Sequence, residues 1–473
     1  MPVNINMRGF MTFKKRPVFF LMLLLTGGIS CAAQQVLSLP EAVAIGVKSY
    51  GAVRAKESYA KASREAVSLA RTSYLPNFNI AAQQDYGTVN GQYGPLYGFN
   101  GLSAGSAGPA LPSQRWTASF GSLYLANINW DFFAFGRSKE KIASAKAAAL
   151  RDRNDWQQEI FQQKVRVAAA YLNLLAAQRL TESYRKNLIR ADTFRHVVVT
   201  RALNGLIAGV DSSQANAEVS NARIALLKAL DVEQEQRALL VQLMGTELRS
   251  FLLDTLFISH IPSIPGDTAQ LQDHPLLRWY GSRIAASKVQ SRYYKTLRYP
   301  VLSLVGVIQT RGSGFGEGYG QDLSDYTHHY WDAISPSRTN YLFGVGLTWN
   351  LTQPFRVSRQ IRYQDFIGEG LQDEYEQARQ ELETRLRLAD EKIRNAMDKY
   401  REVPVEVKAA SDAFIQKSVL YKNGLTTLVD VTQALYVLTR AETDRDIAYS
   451  NVWQALLLKA AAMGDFNIFI QAL

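Results

Sequence analysis

The residues that most often carry chemistry in proteins are few and scattered in this chain. His328 and His329 form its one histidine pair, and no further ligands stand at metal-binding spacing around them. His196, His260 and His274 are isolated, and the sequence contains neither a phosphate-binding loop nor a Cys/His cluster. These observations predict that the protein is not an enzyme and that it binds no metal and no cofactor.

The one cysteine, Cys31, lies in a segment that is typical of an export signal. Lys14-Lys15-Arg16 precedes an apolar run over residues 18–25, which is too short for a membrane-spanning helix. Cleavage after Ala33 would fit the small-residue pattern of a signal peptide and would remove Cys31. Cys31 also stands where a lipoprotein cysteine would stand. We therefore predict a signal peptide over residues 1–33, with lipidation of Cys31 as the alternative.

The chain is long and modestly basic. Its 473 residues carry a net charge of +11 and would suit about three ordinary domains. The positive charges are spread along long polar segments and form no basic block with interleaved aromatic residues. We therefore predict no nucleic-acid partner.

The second half of the sequence repeats the first half at a shift of about 219 residues. Matching pairs include Trp130 with Trp349, Arg137 with Arg356, Asn204-Gly205-Leu206 with Asn423-Gly424-Leu425, Val210-Asp211 with Val429-Asp430, and Met244-Gly245 with Met463-Gly464. A repeat of this size predicts one pseudo-symmetric body rather than several independent domains.

Each repeat combines a helix, a strand hairpin and a long helical hairpin. In the first repeat a helix from Leu39 to about Ser73 ends before Pro76, because proline disfavours helical geometry in the residue that precedes it. Apolar and polar residues then alternate in two strands, the second ending at Trp130. From residue 138 to about residue 203 there is no proline and no glycine, so the apolar periodicity predicts a helix of roughly 100 Å.

A short turn connects each long helix to a helix that runs back. Asparagine and glycine tolerate the left-handed geometry of a helix C-terminus, which predicts turns at Asn204-Gly205 and at Asn423-Gly424. We expect Asp211 or Ser212, and likewise Asp430, to be the N-caps of the returning helices. Pro404 should kink or break the second long helix locally.

These elements give a predicted domain organisation. It consists of a signal peptide (1–33), a first repeat (34–250) with a strand hairpin at about 74–130 and a helical tip near 205, a linker (251–274), a second repeat (275–466) with a strand hairpin at about 300–349 and a tip near 424, and a C-terminal tail (467–473).

Four strands of about ten residues have the length of tilted membrane-spanning strands. An open four-stranded sheet would leave unpaired backbone groups in lipid, so other copies of the chain must complete it. Three copies would give twelve strands. Trp130 and Trp349 end strands at the expected membrane boundary, where aromatic girdles lie, although ordinary core packing is the alternative for both. The fold class is thus a mixed α/β membrane protein.

The order of these elements resembles that of the TolC-like outer-membrane efflux channels. The resemblance extends from about Leu37 to Phe466, and its most specific part is the doubled Gly-Leu-x-x-x-x-Asp turn. It implies a homotrimer in the outer membrane, with a twelve-stranded transmembrane β-barrel above a periplasmic barrel of coiled-coil-like α-helical hairpins. It also implies a conducting function, with a periplasmic adaptor (a membrane fusion protein) and, through it, an inner-membrane pump as partners.

The same resemblance assigns roles to residues of the two turns. It places Gly205, Leu206, Gly424 and Leu425 at the periplasmic tip that meets the adaptor. Asp211 and Asp430 fall at the start of the returning helices, and Tyr421 falls where some members place a tyrosine that helps to hold the tip shut. Thr426 and Gln433 stand where one member has an arginine and an acidic residue, so the closing network is expected to differ.

Two classes of function remain. The first is a passive outer-membrane exit duct of a tripartite efflux or type I secretion system, opened at its tip by the adaptor. The second is a periplasmic scaffold of helical hairpins without a pore. The strand pairs favour the duct, because a scaffold does not need alternating ten-residue segments that end in aromatic residues.

Overall fold

Two long helical hairpins and a four-stranded sheet dominate the structure, a computed structural model. It describes residues 35–91, 98–99, 102–103, 108–247, 251–254, 257, 261–262 and 271–472. The predicted signal peptide and Cys31 lie outside these residues. The strands are β1 (Gln35–Leu37), β2 (Asn77–Thr88), β3 (Gly98–Phe99), β4 (Leu102–Ser103), β5 (Ala118–Phe133), β6 (Phe251–Leu253), β7 (Val301–Ser313) and β8 (Arg338–Thr348). The helices are α1 (Leu39–Ser49), α2 (Gly51–Thr72), α3 (Arg137–Leu203), α4 (Gly209–Met244), α5 (Pro275–Thr296), α6 (Tyr330–Ile334), α7 (Gln353–Lys422), α8 (Leu428–Met463) and α9 (Asn467–Ile470).

The first predicted helix is two helices in the structure. α1 and α2 meet at Tyr50, whose backbone is extended (φ −65°, ψ 127°). Gly51 opens α2, and glycine is a poor helix former, so the chain bends there at low cost. The bend lets α1 pack closely on α3: a Cβ atom added at Gly46 would lie 2.7 Å from a methyl carbon of Val167.

The long helices of the two repeats have nearly equal lengths. α3 has 67 residues and α7 has 70, so each is roughly 100 Å long at 1.5 Å per residue. α7 runs through Pro404 without a break, so of the kink or break predicted there the break is absent. Proline removes one helical hydrogen bond, and packing of the surrounding turns, including the buried Val403, offsets that loss.

The four long strands form one antiparallel sheet in the order β2-β5-β7-β8. β5 therefore pairs with a strand of each repeat, and the two strand hairpins join into one surface. β5 continues three residues past Trp130, with an irregularity in its pairing with β7 there, whereas Trp349 follows the last residue of β8. Within this sheet, β2 and β8 are the two edge strands and pair on one side only.

The two faces of this sheet differ in polarity. One face carries no Asp, Glu, Lys, Arg or His in any of the four strands; its members are residues 78, 80, 82, 84 and 86 of β2, even-numbered residues 120–130 of β5, even-numbered residues 302–312 of β7, and odd-numbered residues 339–347 of β8. The opposite face carries a hydrogen-bonded Asn79–Asn127 pair, Asp85 and Arg311. Ile80 on the uncharged face is 77% exposed, and Phe343 is 62% exposed. We call this uncharged surface the apolar face.

The largest hydrophobic core lies partway along the helical hairpins, where the two repeats and the N-terminal strand meet. Residues of α1, α3, α4 and α8 pack together there, and β1 pairs with β6 in parallel. Tyr171 is fully buried in this core: its hydroxyl donates to the carbonyl oxygen of Leu37 (2.8 Å) and accepts from the amide of Asp254 (3.0 Å). Burial raises the pKa of Tyr171 to about 12, so the hydroxyl keeps its proton and both bonds.

No helix within the described residues combines the length and the hydrophobicity needed to cross a membrane. Nor do these residues contain a group of three or more His, Cys, Asp or Glu side chains that could hold a metal ion.

Candidate functional site: two adjoining helical tips

The two long hairpins turn back at equivalent points, and their turns lie side by side. We call residues 201–212 the first tip and residues 420–431 the second tip. Gly205 (φ +71°) and Gly424 (φ +76°) both have left-handed backbones, which glycine adopts without the steric cost that other residues meet. The turns at Asn204-Gly205 and Asn423-Gly424 are therefore present as predicted.

Both tips end their long helices with the same hydrogen bonds. The amide of Leu206 donates to the carbonyl oxygen of Arg201 (3.0 Å), and the amide of Leu425 donates to that of Leu420 (2.9 Å). The two glycine amides donate to the second-last helical carbonyls, at 3.0 Å in each tip. This pair of bonds is the Schellman motif, and it satisfies helix-end carbonyls that would otherwise need water.

The returning helix of the second tip has a full capping box. Thr427 is the N-cap, and its hydroxyl accepts from the amide of Asp430 (3.3 Å). The Asp430 carboxylate in turn accepts from the amide of Thr427 (3.2 Å), from the Thr426 hydroxyl (2.8 Å) and from the Lys417 ammonium group (3.3 Å). Hydrogen bonds from Thr427 and Thr426 hold the pKa of Asp430 well below its usual range. Asp430 is therefore charged at neutral pH and fixes the start of α8.

The first tip lacks such a cap. Its N-cap is Ala208, which makes no side-chain capping bond. The prediction that Asp211 and Asp430 are N-caps was wrong in both repeats, because each stands three residues inside its helix while Ala208 and Thr427 carry the extended backbone of a cap. Both aspartates still lie in the first turn, where a negative charge interacts favourably with the helix dipole.

Arg201 of the first tip holds the end of α7 in the second tip. Its Nη1 atom donates to the carbonyl oxygens of Tyr421 (2.5 Å) and Lys422 (2.8 Å), which are the last two residues of α7. Its guanidinium group also lies 5.4 Å from the centre of the Tyr421 ring. A cation near the C-terminus of a helix is electrostatically favourable, so this contact supports the second tip in two ways.

Tyr421 is the aromatic centre of the joint between the tips. It is 3% exposed and lies 5.3 Å from the ring of Phe194, in an apolar cluster with Val198, Ala215 and Leu428. Its hydroxyl has no hydrogen-bond partner among the described residues. Burial raises the pKa of Tyr421, as does the charge of the nearby Asp211, while Arg201 opposes them.

The outer surface of the tips is apolar. Leu206 is 66% exposed and Leu425 is 72% exposed, and their neighbours Leu203, Val210 and Val429 are also largely exposed. Five exposed aliphatic side chains at the free end of a helical body form a patch of the kind that proteins use for contacts with other proteins.

Trp130 and Trp349 lie at the opposite end of the helices, where the strands begin. The indole nitrogen of Trp130 donates to the carbonyl oxygen of Tyr74 (2.8 Å), and that of Trp349 donates to the carbonyl oxygen of Arg298 (3.1 Å). Tyr74 and Arg298 each stand two residues before the proline that ends the preceding helix. Both tryptophans thus close a strand hairpin in the same way.

Arg201 and Thr427 are the residues of the tips that sequence reasoning missed. Arg201 matches Leu420 at the repeat shift, and Thr427 matches Ala208, so neither belongs to the repeated pattern. Thr427 could have been found, because a threonine three residues before an acid is a capping signal. The partner carbonyls of Arg201 are 220 residues away in sequence, and no local signal points to them.

Comparisons with known proteins agree with this architecture. Residues 51–246 match the family model described as "Outer membrane efflux protein". Among curated proteins, none matches this chain. Similar solved structures include CusC (TM-score 0.73, 13% identity, 90% of this chain and 92% of that chain) and CmeC of Campylobacter jejuni (TM-score 0.72, 13% identity, 90% and 85%). VceC of Vibrio cholerae is also similar, with a TM-score of 0.70, 16% identity and coverage of 90% and 96%.

The sequence match covers a smaller part of the chain than the structural matches do. The family model covers most of the first repeat, including the first tip, and the second repeat follows the same plan at the repeat shift. The structural matches cover nine-tenths of the chain. Residues 51–246 thus carry the sequence pattern of the outer membrane efflux proteins, and the chain has the fold of the TolC-like outer-membrane channels.

Proposed function

We propose that this protein is a passive exit duct of the outer membrane, within a tripartite efflux or type I secretion system, and that an adaptor opens it at the helical tips. The observation that carries the proposal is the apolar face of a sheet that is open at both edges. An uncharged, exposed face over four long strands suits lipid, and the polar opposite face suits a water-filled lumen.

The open edges support a trimer. Each backbone group left unpaired along β2 or β8 would cost roughly several kcal/mol in lipid, as buried polar groups without a hydrogen-bond partner generally do. Pairing β8 of one copy with β2 of the next removes this cost, and three copies close a barrel of about twelve strands. Trp130 and Trp349 then lie in the aromatic girdle at the periplasmic boundary.

The exposed aliphatic patch supports an adaptor contact at the tips. Leu206 and Leu425 project from the free end of the hairpins, at the point farthest from the sheet. An apolar contact with the adaptor there would compete with the joint of Arg201 and Tyr421. Loss of that joint would let the tips move apart. An inner-membrane pump would act through this adaptor.

Two substitutions at one position test the tip assignment. Gly424→Trp adds bulk to the turn, whereas Gly424→Asn retains the left-handed backbone with a small side chain, because asparagine tolerates that geometry. We expect Gly424→Trp to reduce export strongly in cells and Gly424→Asn to leave it near the wild-type level. Both variants should assemble as trimers. Normal export by Gly424→Trp would remove the tip from the mechanism.

Native mass spectrometry of protein extracted from outer membranes tests the barrel itself. A trimer is expected, and its subunit mass will also distinguish cleavage after Ala33 from acylation at Cys31. A monomer, or recovery from the soluble periplasm alone, would leave the edges of β2 and β8 unpaired and would favour the scaffold without a pore.

A further inference from the structure

The short helix α6 lies in the glycine-rich connection between β7 and β8 and packs on the sheet. Its Ala333 and Ile334 are buried, and the Ser122 hydroxyl donates to the carbonyl oxygen of Ile334 (2.8 Å). The Tyr330 hydroxyl donates to the Gln84 side-chain oxygen (2.6 Å), and its ring lies 5.2 Å from that of Phe120. These contacts fix α6 against β2 and β5.

The register of the strands identifies the face on which α6 lies. Gln84, Ser122 and Gly312 stand directly opposite one another, so their side-chain directions share one face of the sheet. A Cβ atom added at Gly312 would lie 2.9 Å from the carbonyl oxygen of Ala333 in α6. Because Gln84 and Ser122 belong to the apolar face, α6 covers the side of the sheet that faces lipid in a barrel.

The height of α6 above the periplasmic boundary matches the thickness of a membrane. Trp130 and Ser122 are eight residues apart on β5, or about 26 Å along a strand. At a strand tilt of about 40° this separation is roughly 20 Å of height, and Phe120 lies at roughly 25 Å. The apolar band of an outer-membrane barrel is about 25 Å tall, so α6 lies at its outer boundary.

Trp331 gives α6 the chemistry of an interfacial anchor. It is 75% exposed although it is the largest side chain of the helix, and its ring lies 5.1 Å from that of Tyr330. Tryptophan and tyrosine favour the headgroup level of membranes, because their rings are apolar and their polar atoms can remain hydrated. Asp332 is the one charged residue of α6, which is acceptable at headgroup depth but not deeper.

We propose that α6 rests in the headgroup region of the outer leaflet and that Trp331 inserts into lipid, so that α6 anchors the extracellular rim of the barrel from outside. The inference rests on the proposed barrel. Lipid is favoured over a neighbouring copy because α6 packs mainly on β5 and β7, the two central strands, and reaches β2 through Tyr330, while neighbouring copies would meet at the outer edges of β2 and β8.

Quenching of tryptophan fluorescence tests the proposal in the full-length trimer. The protein is reconstituted into phosphatidylcholine vesicles whose acyl chains carry bromine close to the headgroup, and into unbrominated vesicles. The difference between wild type and Trp331→Phe isolates the emission of Trp331. Trp116→Phe isolates a matched control, because Trp116 is 82% exposed and precedes the first residue of β5. Trp349→Phe isolates the emission of Trp349, which reports on the periplasmic boundary of the membrane.

We expect brominated lipid to quench Trp331 and Trp349 at least about two-fold more than Trp116, as interfacial depth requires. Aqueous iodide should quench Trp116 more than Trp331. Quenching of Trp349 by lipid without quenching of Trp331 would overturn the anchor and leave the barrel intact, whether Trp331 proved accessible to iodide or shielded by a neighbouring copy. Absence of lipid quenching at both boundaries would overturn the barrel and the anchor together.

Discussion

The first and second tips have the same backbone and different supports. Each ends its long helix with a left-handed glycine and the same two hydrogen bonds. The second tip then adds the capping box of Thr427 and Asp430 and receives Arg201 from its neighbour, while the first tip starts its returning helix at an uncapped alanine. The repeat therefore retains the shape of the turn and differs in what holds it.

This difference indicates that the two hairpin tips are stabilised by different contacts. The second tip is fixed by its own polar contacts, and the first tip depends more on the joint between them. Three unmatched positions create the asymmetry: Arg201 corresponds to Leu420 at the repeat shift, Ala208 to Thr427, and Ala202 to Tyr421. Exchanging residues at these positions between the repeats therefore tests the comparison directly.

The largest effect is expected from Arg201→Leu, which gives the first tip the residue of the second repeat. The last two carbonyls of α7 lose their charged donor, and hydrogen bonds to charged groups contribute about 1.5–3 kcal/mol. Arg201 is partly exposed, so we expect the low end, or roughly a tenfold increase in local opening. Hydrogen–deuterium exchange of the amides of residues 414–430 measures it.

Arg195→Leu is the matched control for this experiment. Arg195 lies on the same helix and pairs with Asp192 one turn away, and no hydrogen bond or ion pair among the described residues joins it to the second hairpin. The Arg195→Leu variant should leave hydrogen–deuterium exchange in the second tip unchanged. Equal effects of the two variants, or none from Arg201→Leu, would show that the joint between the tips carries no stability.

A smaller effect is expected from Thr427→Ala, which removes the cap of the second tip. Loss of an N-cap threonine costs about 1 kcal/mol, so local opening of α8 at its start should rise roughly fivefold. Thr432→Ala is the control, because the Thr432 hydroxyl donates to the carbonyl oxygen of Val429 within the same helix turn. If both variants exchanged alike, the capping box would not be what distinguishes the tips.

The reverse substitution, Ala208→Thr, should install a cap in the first tip. Asp211 already stands at the position that Asp430 occupies in the second tip, so a capping box becomes available. We expect about 0.5 kcal/mol of added local stability, or roughly twofold slower exchange in residues 205–212. Adding Asp211→Ala should cancel the reciprocal part of the gain, and an undiminished gain would mean that the introduced threonine acts without the box.

The sequence predicted those features whose signals are local or repeated. Alternation along residues 77–88 and 118–130 identified the strand faces, and Asn-Gly identified both turns, because backbone geometry constrains neighbouring residues. The N-cap was misplaced because Ala208 has no capping side chain, which left Asp211 as the nearest candidate. The bend at Tyr50 and the contact of Arg201 with Tyr421 depend on packing between distant segments, and no local pattern records that packing.

The smallest expected effect is a difference between the two tips in how their exchange protection depends on pH. Asp430 has its pKa lowered from an ordinary value of 3.8, chiefly by hydrogen bonds from Thr427 and Thr426. A carboxylate with a lowered pKa stabilises the folded tip fully above its ordinary value, and that stability is lost as the pH falls from about 4 toward the folded-state value. Exchange protection in the second tip, corrected for the intrinsic rate at each pH, should be constant between pH 7 and about 4.5 and then decline.

The first tip has no capping box to lose, because its N-cap Ala208 makes no side-chain capping bond, so its protection should stay constant over this range. In Thr427→Ala the decline of the second tip should be smaller and should level off at a higher pH, since Asp430 loses the hydroxyl that lowers its pKa most and that pKa moves back toward the ordinary value. A decline of equal size in both tips would locate the acid sensitivity in the joint they share. That result would assign the difference between the tips to Arg201 alone.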